Sequence, residues 1–159
     1  MEATVHGEIV LDVPEGFVVM DREGLDQAYV DDNPNRWGMS NEVDHMVFSV
    51  FWHKSGAVIS LLSGPKEINR STEKKLSSSL RSYGYRLQTF YKRKICGMVA
   101  YGFRHDYNLK DIPYVSDVFT LKRGRTCYTI YCYTRKECED INRPVLESIL
   151  DSMRFVVSE

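Results

Sequence analysis

The chain has 159 residues, 43% hydrophobic and 27% charged, with a formal net charge of −1. This is the composition of a folded globular chain; it excludes collagen, coiled-coil and disordered classes, and by itself points to no polyanionic partner. The near-neutral total hides three blocks. Residues 1–50 carry eleven acids against Arg22 and Arg36, a net of −9; residues 51–136 carry seventeen bases against five acids, a net of +12; residues 137–159 carry six acids against Arg143 and Arg154, a net of −4.

The opening Met1–His6 shows no basic stretch followed by an apolar run, and no segment approaches the ~18 apolar residues of a spanning helix, so a cytoplasmic protein without a membrane span is expected. Val5–Leu11 reads as a strand. Val13-Pro14-Glu15-Gly16 follows as a turn, with Pro setting φ and Gly free to take φ > 0, and Phe17–Met20 returns as a second strand. Residues 21–44 are polar and rich in Asp and Asn around Asn33-Pro34-Asn35. So long a loop is unusual in a small domain, so the stretch hides a short helix or forms a functional excursion.

Met46–His53 is a strong strand with apolar residues on both faces. Lys54-Ser55-Gly56 then turns the chain into Ala57–Leu62. A helix is expected from an N-cap at Ser71, with Glu73 in its first turn, Leu76, Leu80 and Tyr83 on its apolar stripe and Gly84 at its end. The triple serine 77–79 would be a polar face within it. From Tyr85 onward β-branched and aromatic residues predict a meander with strands near 85–93, 97–107, 114–122 and 125–134. Lys122-Arg123-Gly124-Arg125 suggests an Arg-Gly hairpin loop pairing 122 with 125, which would set Phe119 opposite Tyr128 and Val115 opposite Cys132. Ile141, Val145, Ile149 and Met153 mark the core stripe of a last helix, whose regular part starts near Asn142 before Pro144. With no repeat and no linker, residues 1–159 read as a single domain. Consecutive hairpins and covering helices predict an α+β fold: an antiparallel β-sheet meander with helices packed on it, an α/β/α sandwich.

Two stretches carry a family resemblance. Val13-Pro14-Glu15-Gly16-Phe17 and Ser148–Phe155, together with the order of elements, resemble the PsbP-like superfamily, which includes the photosystem II extrinsic P protein, the Ran-binding Mog protein and DcrB-type lipoproteins. The resemblance implies the sandwich and a non-enzymatic docking or accessory role. It carries no binding residues across.

Turns of a meander alternate between the ends of a sheet. The turn after strand 85–93 and the turn after strand 114–122 therefore share one end, bringing Lys92, Arg93, Lys94, Lys122, Arg123 and Arg125 together. Three readings stand for this end: an anion- or partner-binding edge, solvated hairpin ends that resist edge aggregation, or a patch covered by the acidic 21–44 stretch. Tyrosines share strand faces (Tyr114, Tyr131 and Tyr133; Tyr101 and Tyr107), yet no RNP-like signature accompanies them, so half-buried packing is expected and nucleic acid is a poor candidate. The four histidines lie on separate elements and read as surface or strand-end residues. The cysteines at 96, 127, 132 and 138 match no zinc spacing and read as reduced structural thiols. Asp117 sits in the apolar row of Val115, Phe119 and Leu121, where it is either a buried carboxylate with a raised pKa and a functional role or, as the simpler account, an edge position open to water. No phosphate cradle appears, so neither cofactor nor metal is expected. A protein partner is the first expectation, a small anion at the basic end the second and a hydrolase the third.

Overall fold

The computed structural model describes residues 1–29 and 33–157. Its frame is the expected meander: β6 (Arg86–Ile95), β7 (Met98–Leu109), β8 (Ile112–Arg123) and β9 (Thr126–Arg135), paired antiparallel in sequence order. Two-residue turns join them. Cys96-Gly97 and Lys110-Asp111 place both residues at positive φ, and Gly124 supplies the positive φ of Gly124-Arg125. Such turns match the twist of the strands and let long hairpins stay paired. The last loop is therefore Gly124-Arg125, not Arg123-Gly124: Arg123 pairs with Thr126, Phe119 with Ile130 and Val115 with Thr134. The expected register was off by two residues, which leaves every side chain on its expected face.

The sheet continues past β9. β5 (Met46–Lys54) pairs with β9, β4 (Arg36–Asn41) with β5, and β3 (Val18–Val19) with β4, giving the order β3-β4-β5-β9-β8-β7-β6. The polar stretch 21–44 thus holds α1 (Arg22–Ala28), capped where Asp21 accepts from the Gly24 amide at 2.7 Å, as well as β4. Residues 30–32 of that stretch lie outside the described residues. The strand expected at Phe17–Met20 is only two residues long and pairs with β4. The strand expected over Val5–Leu11 is broken. His6 and Gly7 both adopt positive φ, the Glu8 amide donates to the Val5 carbonyl at 3.0 Å, and β1 (Glu2–Val5) folds back on β2 (Ile9–Asp12). With β10 (Arg154–Phe155) these form a separate three-stranded sheet.

Three further helices complete the fold. α2 (Ala57–Leu62) and α3 (Pro65–Ser79) are separated by Ser63-Gly64. α3 starts six residues before the expected Ser71, because Pro65 at its first position carries a φ already suited to a helix. Its serines 77–79 form the last turn, and Gly84 at φ 71° ends the single 3₁₀ turn that follows. α4 (Glu139–Ser152) runs through Pro144. Its inward residues are Asn142, Leu146, Ile149, Leu150 and Met153, while Ile141 is 79% exposed and not core. Asn142 takes the inner position because its amide donates to the Asp44 carbonyl at 2.7 Å and to Thr134 Oγ1 at 2.8 Å.

The layers follow from strand alternation. One sheet face presents Met39, Phe48, Val50, Phe119, Leu121, Tyr128 and Ile130 to Ile9, Leu11, Leu146 and Ile149, and this is the main core. The other face carries α3, anchored by Asn69, whose amide donates to the Val118 carbonyl at 3.2 Å and to Thr120 Oγ1 at 3.1 Å.

Candidate functional site

The basic end is built as the connectivity requires, and four of its six cations have partners within the chain. Arg93 pairs with Asp151 of α4. Arg123 lays its guanidinium over the Phe155 ring, 4.4 Å from the centroid. Arg125 Nε donates to the Ser55 carbonyl at 3.0 Å, and the Ser55 amide returns a bond to the Arg125 carbonyl at 2.9 Å. Lys122 donates to the Ser60 carbonyl and, at 3.2 Å, to the Ser63 carbonyl. A cation on the last carbonyls of a helix satisfies groups that have no partner inside it and opposes the negative end of its dipole. Lys92 and Lys94 are exposed.

What Lys122 and Arg125 hold in place is α2, which has no buried residue. Val58 is 69% exposed, Ile59 62%, Leu61 87% and Leu62 78%, so four of its six side chains form an apolar ridge in water. Beside it lies a groove of about 490 Å³. A helix is ~10 Å wide and strands are spaced ~4.8 Å apart, so α3 alone covers about two strands. It sits over β7 and β8 and leaves part of β5 and β9 open. The floor is Phe51, Thr129 and Tyr131; the α3 wall includes Ile68, Thr72, Lys75 and Leu76; Ile59 closes the α2 end. Beyond Phe51, Tyr29 seals the face: its ring meets Phe51 edge-on at 4.9 Å and its hydroxyl bonds Ser49 Oγ. Within the groove Ser55 Oγ lies 3.4 Å from His53 Nε2, a long contact. Among the described residues no carboxylate bonds that imidazole.

Asp117 is not at an edge. It stands on β8 in the middle of the sheet, 7% exposed, and points toward α4. Tyr91 OH donates to its Oδ1 at 2.9 Å, Arg104 Nε to the same oxygen at 2.8 Å, and Arg143 Nη1 to Oδ2 at 2.6 Å. Arg143 also reaches Glu139 at 2.6 Å. Burial, then the neighbouring carboxylate, pushes the Tyr91 hydroxyl far above its usual pKa. Burial alone would lower both guanidinium pKa values, but hydrogen bonds and attraction to Asp117, joined by Glu139 for Arg143, together raise them. On the same face, two residues beyond Arg104 on β7, Asp106 collects Arg86 at 2.9 Å, Lys136 at 2.9 Å and Gln88; burial alone would raise its pKa, but these donors hold it below the usual carboxylate range. These knots tie strands and α4 together and leave only about 30 Å³ beside Asp117, the space of a water molecule rather than a substrate.

His105 also departs from expectation. It lies mid-strand at 0% exposure, between the rings of Tyr85 and Tyr107 at 5.0 and 5.6 Å. Neither ring nitrogen is hydrogen-bonded, and burial pushes its pKa down to about 4. The tyrosines are half-buried as expected: Tyr131 and Tyr133 stack at 6.0 Å and 8°, beneath Tyr29. All four cysteines are free thiols; burial raises Cys96 and Cys127 to about 11. Among the described residues no three potential ligands cluster as a metal site, and no helix is long and apolar enough to cross a membrane.

The sequence matches no family model and no curated protein. In fold the chain is similar to cyanobacterial PsbP from Synechocystis sp. PCC 6803, with a TM-score of 0.68 and 14% identity over 98% of this chain and 92% of that one. It is also similar to LpqN of Mycobacterium tuberculosis, described as involved in cell envelope biogenesis (0.63, 11%, 99% and 91%). A third similar structure is the Saccharomyces cerevisiae Ran-binding protein Mog1p (0.61, 12%, 97% and 94%). The protein therefore has the PsbP-like fold, as the sequence resemblance implied.

Sequence reading missed the ridge, the groove and both carboxylate knots. Gly56 before Ala57–Leu62 and Gly64-Pro65 after it do mark a short separate helix. Its all-apolar outer face gives no period that distinguishes inside from outside.

Proposed function

We propose that this protein is a non-enzymatic docking module that receives a protein partner on the α2 ridge and the adjoining groove. The observation that carries this is the exposure of Val58, Ile59, Leu61 and Leu62 on one six-residue helix. Contiguous apolar surface of that kind marks an interaction site. A ligand sized to the 490 Å³ groove would leave the ridge in water; a protein surface covers both. The Ran-binding activity stated for Mog1p on the same fold is consistent with such a role. Within this reading the basic end supports the ridge through Lys122 and Arg125. Four free thiols fit a reducing compartment, and we place the protein in the cytoplasm on that ground.

The test is a photo-crosslinking residue at Leu61 in the whole chain, irradiated in its native cells. The partner it tags is identified, purified and titrated against wild type and the Leu61→Asp/Leu62→Asp variant. At least tenfold weaker binding by the variant is expected; equal affinity would overturn the assignment.

A further inference from the structure

Resting on that docking reading, we infer that the partner segment is acidic as well as apolar. The surface that continues the ridge carries the charge. The chain leaves α2 through Ser63-Gly64 and enters α3 at once, where Lys66, Arg70 and Lys74 recur every four residues and Lys75 stands at the lip of the groove. Among the described residues Lys66, Lys74 and Lys75 form no ion pair, and Arg70 is occupied with the Phe90 ring, 3.6 Å from its guanidinium. Two acids share the helix. Glu73 is turned toward Tyr85, whose hydroxyl donates to it at 3.4 Å, which leaves Glu67 alone to offset four cations on the exposed surface.

Like charges at i, i+4 destabilise a helix, and among the described residues no ion pair offsets Lys66, Lys74 or Lys75. Carboxylates from outside would relieve the repulsion. Lys66 and Lys74 are ~12 Å apart along the axis at 1.5 Å per residue, a span that three or four extended residues bridge. The partner segment thus places aliphatic or aromatic side chains on the ridge and in the groove, and carboxylates along α3. An anionic bilayer would also meet a cationic, apolar surface, but a flat bilayer cannot enter a groove floored by Phe51, Thr129 and Tyr131. The groove is what favours a polypeptide.

The experiment pans a display library of random peptides of about twelve residues against the whole wild-type protein. Leu61→Asp/Leu62→Asp and Lys66→Glu/Lys74→Glu/Lys75→Glu serve as parallel baits, each checked for native circular dichroism. All five positions are exposed. The inference expects enriched peptides to combine Asp or Glu with large apolar residues, to be lost on the first variant, and to lose their acidic bias on the second. A representative peptide should weaken about tenfold as sodium chloride rises from roughly 50 to 300 mM, since exposed pairs are screened. Apolar peptides without acidic bias that are still lost on the α2 variant would overturn the acidic partner and leave docking intact. Enrichment indifferent to the α2 variant would overturn both. Failure to enrich any peptide, with ridge-dependent sedimentation on phosphatidylglycerol vesicles, would assign the surface to a bilayer instead; ridge-dependent self-association would assign it to a second copy.

Discussion

On one face of the seven-stranded sheet, α4 and the three-stranded sheet cover the strands, and a buried carboxylate of that layer, Asp117, receives Tyr91, Arg104 and Arg143. On the other face α3 covers two strands, α1 packs Leu25 over Gly38 of β4, Tyr29 seals one margin, and between them the sheet stays open beside an apolar helix with no buried residue. Charge is used inwardly on the first face and apolar surface outwardly on the second, the reverse of what stability alone would select. A closed polar knot is explained by folding. Under the docking proposal the open apolar ridge is the surface a partner covers, so the two faces would divide into holding and receiving.

The division is broken hardest at Asp117. Asp117→Ala leaves the Arg104 and Arg143 guanidiniums, 25% and 21% exposed, without their shared acceptor. Removing one partner of a buried pair costs about 3–5 kcal/mol, so urea denaturation should show a loss of that size with peptide binding at α2 unchanged in the folded fraction. A loss below about 1 kcal/mol would mean that the knot is solvated and the contrast between faces is false.

The second effect is a pH dependence from the α3 face. His105 has a folded pKa of about 4 against an ordinary value of 6.5, because burial disfavours its cation. Between those values the unfolded chain binds a proton that the folded chain refuses, so stability falls as pH drops from about 6.5 to about 4 and levels off below. The shift is equivalent to roughly 3 kcal/mol. As pH falls across this window, wild type should lose stability relative to His105→Phe, which lacks that slope, read from their denaturation midpoints. Parallel slopes would show that His105 protonates freely when folded.

Gly102 comes next. On the strand row between Tyr91 and Phe119, a Cβ here would lie 2.6 Å from the Phe119 ring. Gly102→Ala should cost about 1–3 kcal/mol by displacing that ring, read as a lower melting temperature. This position also shows what was legible in the chain beforehand. Alternation along the strands and the turn signal at Gly124 made the meander and the faces of its residues legible, since a period of two survives a register error of two. Asp117 broke that alternation visibly, but its partners come from β6, β7 and α4, and no local pattern states that distant cations will converge. The basic end was legible from connectivity; that Lys122 and Arg125 would be spent on the carbonyls around α2 was not, because backbone acceptors leave no mark in a sequence.

Lys122→Met isolates that support. With the Ser60 and Ser63 carbonyls released, α2 should open more often, and the amides of Ser60 and Ser63, bonded to Gly56 and Ile59 at 2.9 and 3.0 Å, should exchange about fivefold faster, near 1 kcal/mol. Global stability should change by less, since no residue of α2 is buried. Unaltered exchange would show that α2 holds itself.

The smallest effect decides the comparison. Leucine 146 of α4 and leucines 61 and 62 of α2 are the same residue on opposite layers, 5% exposed in one case, 87% and 78% in the other. Leu146→Ala should cost about 2–5 kcal/mol, since it empties a packed site. Leu61→Ser with Leu62→Ser should leave stability within about 0.5 kcal/mol, as surface changes do, while abolishing binding by the groove. If the double serine variant instead unfolds like Leu146→Ala, the ridge is part of the core in solution and receives nothing. If it folds and still binds, the partner sits elsewhere, and four apolar side chains held in water by Lys122 and Arg125 would have no physical reason to be there.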